Sequence, residues 1–196
     1  MPTLEWIGKN KVVNHHLEVP YRVLERQYSY DKHDLRTEDN NSENMIIHGD
    51  NLLALKSLLP RYEGRIKCIY IDPPYNTGNE GWIYNDNVND PRIKKWLGEV
   101  VGKDGEDLSR HDKWLCMMYP RLRLLQKLLA EDGVIFISID DREQVLLRSI
   151  CNEIFGENNF LAQFIWQKRT SPDMRKLVST AHEYVCAYCK NITNIS

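Results

Sequence analysis

Asp72-Pro73-Pro74-Tyr75 is the stretch whose residue types and spacing could do chemistry. Two successive prolines fix the backbone dihedral φ twice and remove two amide donors. The residue before a proline is pushed toward an extended conformation, so Asp72 shares the constraint. The product is a stiff turn that presents a carboxylate, a proline carbonyl and a tyrosine ring together. Carboxylate and carbonyl oxygens both accept hydrogen bonds, so such a corner can hold a donor beside an aromatic plane. The plainer alternative is a rigid strand-to-loop turn with a buried Tyr. A given tetrapeptide turns up by chance in a chain of this length about one time in a thousand under uniform composition. Its place directly after an apolar run makes chance a poorer account still.

The elements that must position this corner follow from periodicity. Met45-Ile46-Ile47-His48 is a short apolar run that predicts a buried strand. After Gly49, Asp50 stands as N-cap of a helix carrying Leu52, Leu55, Leu58 and Leu59, which Pro60 should stop. Ile66–Ile71 predicts a second buried strand, ending at the Asp-Pro-Pro-Tyr corner. Residues 76–108 are rich in Gly, Asn and Asp and long for a loop, a feature of functional or mobile segments. Ser109 and Asp112 fit a capping box ahead of a long helix with Trp114, Met118, Leu122, Leu125 and Leu129 on one face. Gly133 should close that helix before a third buried strand, Val134–Ile139. Asp140 and Glu143 suggest another capping box, Gly156 the next stop, and 160–166 and 183–189 two further strands. Apolar strands alternating with amphipathic helices predict an α/β fold with a parallel sheet covered on both faces. Ligands in such sheets bind beyond the carboxyl ends of the strands, where Asp50, Asp72–Tyr75 and Asp140-Asp141 all fall.

Composition narrows the classes. The 196 residues are 42% hydrophobic and 28% charged, ordinary for a folded domain. No uninterrupted apolar stretch, Val134–Ile137 included, comes near the length of a membrane span, and the N-terminus lacks a signal-peptide pattern. The expectation is a cytoplasmic protein. The net charge of −2 does not mark a nucleic-acid binder, so any such reading rests on local clusters. Five cysteines have no framework spacing. Cys186 and Cys189 form one C-x-x-C without a second pair, on a segment that reads as a strand and would point them to opposite faces. No metal site is expected.

The corner resembles the catalytic motif of the amino-methyltransferases that modify exocyclic amines of DNA bases, (Asp/Asn/Ser)-Pro-Pro-(Tyr/Phe), in its adenine-specific Asp form. Longer segments resemble the modification (Mod) subunit of type III restriction-modification systems. They are NMIIHGDNLLALKSLLPRYEGRIKCIYIDPPYNTGN at 44–79, LLAEDGVIFISIDDREQ at 128–144, NEIFGENNFLAQFIWQK at 152–168 and HEYVCAYCKN at 182–191. The resemblance implies a Rossmann-like sheet in permuted order, with S-adenosyl-L-methionine as cofactor and double-stranded DNA as substrate. A restriction subunit and a second methyltransferase subunit are the further partners it suggests. Catalysis would fall to Asp72, Pro73, Pro74 and Tyr75. Asp72 and the Pro73 carbonyl would hold the adenine amine, with Tyr75 stacked on a base extruded from the duplex.

Other positions keep two readings each. Asp50 and Asp72 would face the cofactor, although Asp50 serves equally as a plain helix cap. Asp140 and Asp141 are caps more readily than ligands. Asn76 and Thr77 would continue the active-site loop toward DNA. Lys168, Arg169, Arg175 and Lys176 are phosphate contacts or a solvated basic loop. Arg121, Arg123 and Lys127 read as a solvated helix face, and His182-Glu183 as a strand start.

The organisation expected is an N-terminal extension and linker over 1–43 and a partial methyltransferase domain over 44–196. The family's glycine-rich Phe-x-Gly-x-Gly loop has no counterpart, since the chain contains no Gly-x-Gly, and its target-recognition region is not represented either. The sheet is therefore expected to be incomplete, and the isolated chain poorly stable and weak in cofactor binding. The competing readings are a non-catalytic remnant that binds DNA or a restriction partner, and an amino-methyltransferase acting on RNA or protein.

Overall fold

The computed structural model describes residues 3–31, 34–36, 42–76, 95, 98–100, 109–171 and 177–195. In chain order the elements are α1 (Lys9–Val12), α2 (His15–Glu18), β1 (Ser29–Asp31), β2 (Asp34–Arg36), α3 (Asn51–Tyr62) and β3 (Ile66–Ile71). They continue with α4 (Arg110–Leu128), β4 (Leu129–Ile139), α5 (Gln144–Phe155), β5 (Phe160–Gln167) and β6 (His182–Cys189).

Helix starts follow their caps. The Asp50 side chain accepts from the Leu53 amide at 3.0 Å and opens α3. Ser109 and Asp112 form the reciprocal capping box of α4, satisfying donors that the first turn cannot pair internally. Gly156, at φ 94°, ends α5 in a conformation that a side chain would strain. Pro60 does not stop α3, which runs two residues further and closes with Glu63 N–H donating to the Leu59 carbonyl at 3.0 Å. So near the C-terminus a proline removes one ladder bond, and the burial of Leu59 carries the last turn through.

Gly133 is not a helix stop either. Strand β4 starts at Leu129, directly after α4, and Gly133 lies inside it. A Cβ at 133 would stand 2.7 Å from the Ile66 carbonyl oxygen and 3.0 Å from that of Ala130. The glycine is there for close backbone approach, at the irregular start of the β3–β4 pairing.

The main sheet has the order β3-β4-β6-β5. It is mixed, not parallel as the alternation suggested. β3 and β4 run parallel, whereas β6 lies antiparallel to both β4 and β5. An antiparallel pair needs no crossover helix, which is why the segment between β5 and β6 carries no helical periodicity. Ile135, Ile137 and Ile139 alternate along β4 and are fully buried with Leu147, Ile150 and Cys151 of α5 and Trp114, Met118 and Leu122 of α4. Each such side chain contributes roughly 1.5–3 kcal/mol of burial. α3 packs beside α4 through Leu52, Leu59, Leu124 and Leu128. The opposite face is less covered than expected: Tyr70, Phe164 and Trp166 are exposed.

Met45–His48 is not a strand. Ile46 is 100% exposed, and among the described residues nothing pairs with this run. An apolar run becomes a buried strand only where neighbours flank it. The first 20 residues do more than extend the chain. Val12 and Val19 enter the two core clusters, Trp6 meets Tyr119 at 5.6 Å between ring centroids, and Lys9 pairs with Glu153 at 3.0 Å. Arg121, Arg123 and Lys127 are half-buried, correcting the solvated-face reading.

Candidate active site

Parallel β3 and β4 both end at one rim, at Ile71 and Ile139. β5 also ends there, and β6, running the other way, begins there with His182. α3 and α4 lead into β3 and β4, and α5 follows β4, so their N-termini stand at the same rim. The topology thus collects Asp50, Asp72–Asn76, Asp140–Glu143, Lys168-Arg169 and His182-Glu183 along one edge.

Asp72 is exposed at this edge, Pro73 is buried, and Pro74 and Tyr75 are half-buried. Trp114 of α4 donates its indole Nε1–H to the Pro74 carbonyl at 2.6 Å. Among the described residues, no donor reaches the Pro73 carbonyl. The corner is therefore fastened through its second proline while the carboxylate and first carbonyl are left unengaged by that anchor. The Tyr75 ring packs against the main core, and burial and Asp72 together push its hydroxyl well above the usual phenol range. Tyr75 is thus more integrated into the core than a freely presented stacking ring.

Asn76 follows the corner at φ 58°, a left-handed conformation uncommon for a residue with a side chain. Its side-chain amide donates to the Arg110 carbonyl at 3.1 Å and to Glu143 Oε1 at 2.5 Å. His111 Nδ1 meets the same Glu143 oxygen at 2.7 Å. Glu143 is fully buried, and burial raises its carboxyl above the usual range against the opposing pull of Asn76 and His111. It does not form a capping box with Asp140. The Asp140 carboxylate instead accepts from the Arg142 amide at 2.9 Å and pairs with the Arg142 guanidinium at 3.0 Å. Trp114, His111 and Glu143 were missed as site residues. Sequence patterns spend Trp114 on a helix face and Glu143 on a cap, and only the fold shows the contacts to 74 and 76.

Beside the corner lies an open cleft lined by Asp140, Asp141, Arg142, Lys168, Arg169, Thr180, His182 and Glu183. Lys168 is ion-paired with Glu183, which neutralises it locally. Tyr184 donates to Asp141 at 2.8 Å and stands 2.9 Å from His182 Nε2. A second cleft, of about 360 Å³, lies between the N-terminal segment and α3, lined by Val19, Pro20, Asp50, Leu52, Leu53 and Val100 among others. Thr77, Arg175 and Lys176 lie outside the described residues. Cys186 and Cys189 are buried on opposite faces of the sheet, opposite Ile137 and Val134, as the strand reading required. Cys68, in contrast, is exposed. No described helix is long and apolar enough to cross a membrane.

The family profile for N6/N4 DNA methylases matches residues 66–194, which hold the corner and the whole main sheet. The chain belongs to this DNA methylase family. It is 37% identical to the EcoP15I Mod subunit of a type III restriction-modification enzyme from Escherichia coli, over 96% of its own length and 30% of that protein. Against the EcoPI Mod subunit from Escherichia phage P1 it is 38% identical over 96% and 30% respectively. It therefore spans about three-tenths of the length of these curated relatives. A solved DNA modification methylase from Thermus thermophilus covers 70% of the chain with a TM-score of 0.43 and 19% identity, the chain covering 51% of it. Within the methylase family the Asp-Pro-Pro-Tyr corner of this member sits at the carboxyl rim of the sheet, fastened from below by α4.

Proposed function

We propose that this chain supplies the catalytic corner of a site-specific DNA adenine methyltransferase of a restriction-modification system. The observation that carries the reading is the Asp72–Pro73 pair. An exposed carboxylate and a carbonyl that no donor among the described residues reaches stand side by side at the sheet rim, on a turn fastened by Trp114. An adenine amine has two hydrogens and a lone pair delocalised into the ring. Asp72 accepts from one hydrogen and the Pro73 carbonyl from the other, which turns the lone pair toward an approaching methyl group. Holding reactants in this way supplies roughly 7–11 kcal/mol in favourable cases. The two oxygens also stabilise positive charge as it grows on nitrogen. Tyr75 borders the base from its packed position.

S-adenosyl-L-methionine, when bound, supplies the electrophilic sulfonium methyl. The residues present suit part of such a group: Asp50 lines the half-apolar cleft of Val19, Pro20, Leu52 and Leu53, and only one of its carboxylate oxygens accepts the Leu53 cap. Asp50 and Asp72 would hold it by its polar groups. Lys168 and Arg169 offer phosphate contacts at the cleft they line with Asp140, Arg142 and His182. Thr77 stays a DNA contact by sequence alone, whereas Asn76 is buried with its amide already engaged and does not reach DNA. Double-stranded DNA is the substrate of this reading, a restriction subunit and a second methyltransferase subunit are its partners, and the cytoplasm its place. In this reading 44–196 form part of the catalytic domain, and the 1–43 extension packs its first 20 residues into that domain's core.

The test is transfer of labelled methyl groups to duplex DNA by the enzyme that carries this chain. Asp72→Ala should abolish transfer without unfolding the protein. A near wild-type rate from Asp72→Ala would falsify the assignment. RNA or protein labelled in preference to duplex DNA would refute the substrate.

A further inference from the structure

We propose that Glu143 is a positioning residue for the catalytic corner, acting through Asn76, with His111 orienting it. The inference rests on the reading of Asp72 and Pro73 given above.

The geometry is a chain of contacts ending next to the motif. Glu143 Oε1 accepts from the Asn76 amide at 2.5 Å and stands 2.7 Å from His111 Nδ1. The same Asn76 amide nitrogen donates to the Arg110 carbonyl at 3.1 Å. Asn76 is 1% exposed and Glu143 is 0% exposed. The amide is therefore caught between the first turn of α4 and the N-cap of α5, one residue beyond Tyr75. With Trp114 on the Pro74 carbonyl, the backbone on the far side of Pro73 is held at two points, 74 and 76. These contacts use neither the Asp72 carboxylate, which the Tyr75 hydroxyl faces, nor the Pro73 carbonyl.

Two features argue that this cluster does more than hold the fold together. A left-handed Asn costs of order 1 kcal/mol or more and persists only where its surroundings over-determine it. Among the described residues, the buried Glu143 Oε2 and Asn76 Oδ1 have no hydrogen-bond partner. A buried carboxylate that meets Asn76 and a half-exposed His through the same oxygen is a poor stabilising device, because desolvation offsets most of the attraction. An apolar residue at 143 would serve packing as well. What an apolar residue cannot do is fix the amide of Asn76.

The experiment compares Glu143→Leu, Glu143→Gln, Asn76→Ala and the Glu143→Leu/Asn76→Ala double variant. In the full 196-residue chain, backbone amide resonances of Asp72 and Tyr75 are expected to move in Glu143→Leu and in Asn76→Ala. Those of the β4–β6 ladder should stay, and Glu143→Gln should restore the wild-type positions. In the methylating enzyme, Glu143→Leu and Asn76→Ala should each lower kcat about tenfold or more with KM little changed. The double variant should be no worse than either single one, and Glu143→Gln should recover most of the rate. Unmoved Asp72 and Tyr75 resonances, or additive kinetic losses, would overturn the proposal. If Glu143→Leu does not fold, Asn76→Ala against Glu143→Gln decides the matter by the same readouts. The resonance arm does not depend on methyl transfer, so an active Asp72→Ala enzyme would defeat the catalytic reading while leaving this one standing on its own result.

Discussion

Trp114 and Pro74 are joined by one hydrogen bond of 2.6 Å, between an indole of the long helix and the carbonyl of the second motif proline. A proline cannot donate, so its carbonyl is the one polar backbone group by which that residue can be fastened. Trp114 is fully buried, which makes the fastening rigid.

Replacing Trp114 by Phe keeps most of the ring and removes the donor. The Pro74 carbonyl then loses its partner, at a cost of about 1–3 kcal/mol. The expected result is a lower melting temperature, together with a fall in kcat of about tenfold as the corner loosens. Thermal melts and single-turnover methylation measure the two effects separately. An unchanged kcat would show that the anchor matters only for folding.

His16 sets an acid limit on stability. Its ring is 2% exposed, and burial, then the cations Arg123, Lys127 and Lys56, lower its pKa from 6.5 to about 4. The folded state therefore resists a proton that the unfolded chain accepts. This contribution is complete above pH 6.5 and fades as pH falls toward about 4, amounting to on the order of 3 kcal/mol. Denaturant melts of wild type and His16→Phe between pH 7.5 and 4.5 should show a shallower acid decline in the variant. Parallel declines would refute the assignment.

Gly133→Ala places a methyl 2.7 Å from the Ile66 carbonyl oxygen. Backbone must shift where β3 joins β4, at an expected cost of roughly 1–3 kcal/mol. Equilibrium unfolding gives the value. A change below a few tenths of a kcal/mol would mean that the junction yields freely.

Lys168 and Arg169 should differ in DNA binding although they are neighbours. Lys168 is already paired with Glu183. Arg169→Ala is expected to weaken duplex binding and reduce the salt slope by about one. Lys168→Ala should do less, and Glu183→Gln should tighten binding by freeing the ammonium. Fluorescence anisotropy across a salt series tests all three, and equal losses at 168 and 169 would count against the ion pair's role.

The corner and the helix caps were legible because each depends on a few adjacent residues. Asp50 and Ser109 cap where local chemistry says they should, and β3 ends at Ile71. What depends on neighbours distant in sequence was not. The antiparallel placement of β6 between β4 and β5 comes from pairing over tens of residues, which periodicity does not record. Met45–His48 has the composition of a buried strand and the environment of an exposed segment. Glu143 has the spacing of a cap, yet its partners are 32 and 67 residues away. Gly133 reads as a helix terminator, whereas the Ile66 carbonyl beside it is what requires it.

Three helices present their first turns along one edge of a molecule whose formal charge is −2. Each aligned peptide array leaves roughly half a positive elementary charge at its start. The edge is thus locally more electropositive than a residue count implies, with a field that fades within about 10 Å at 0.1 M salt. That positive end-charge offsets part of the negative charge of Asp50, Asp72, Asp140, Asp141 and Glu183 gathered at the same edge, so a polyanion close to it meets less repulsion than those carboxylates alone would give.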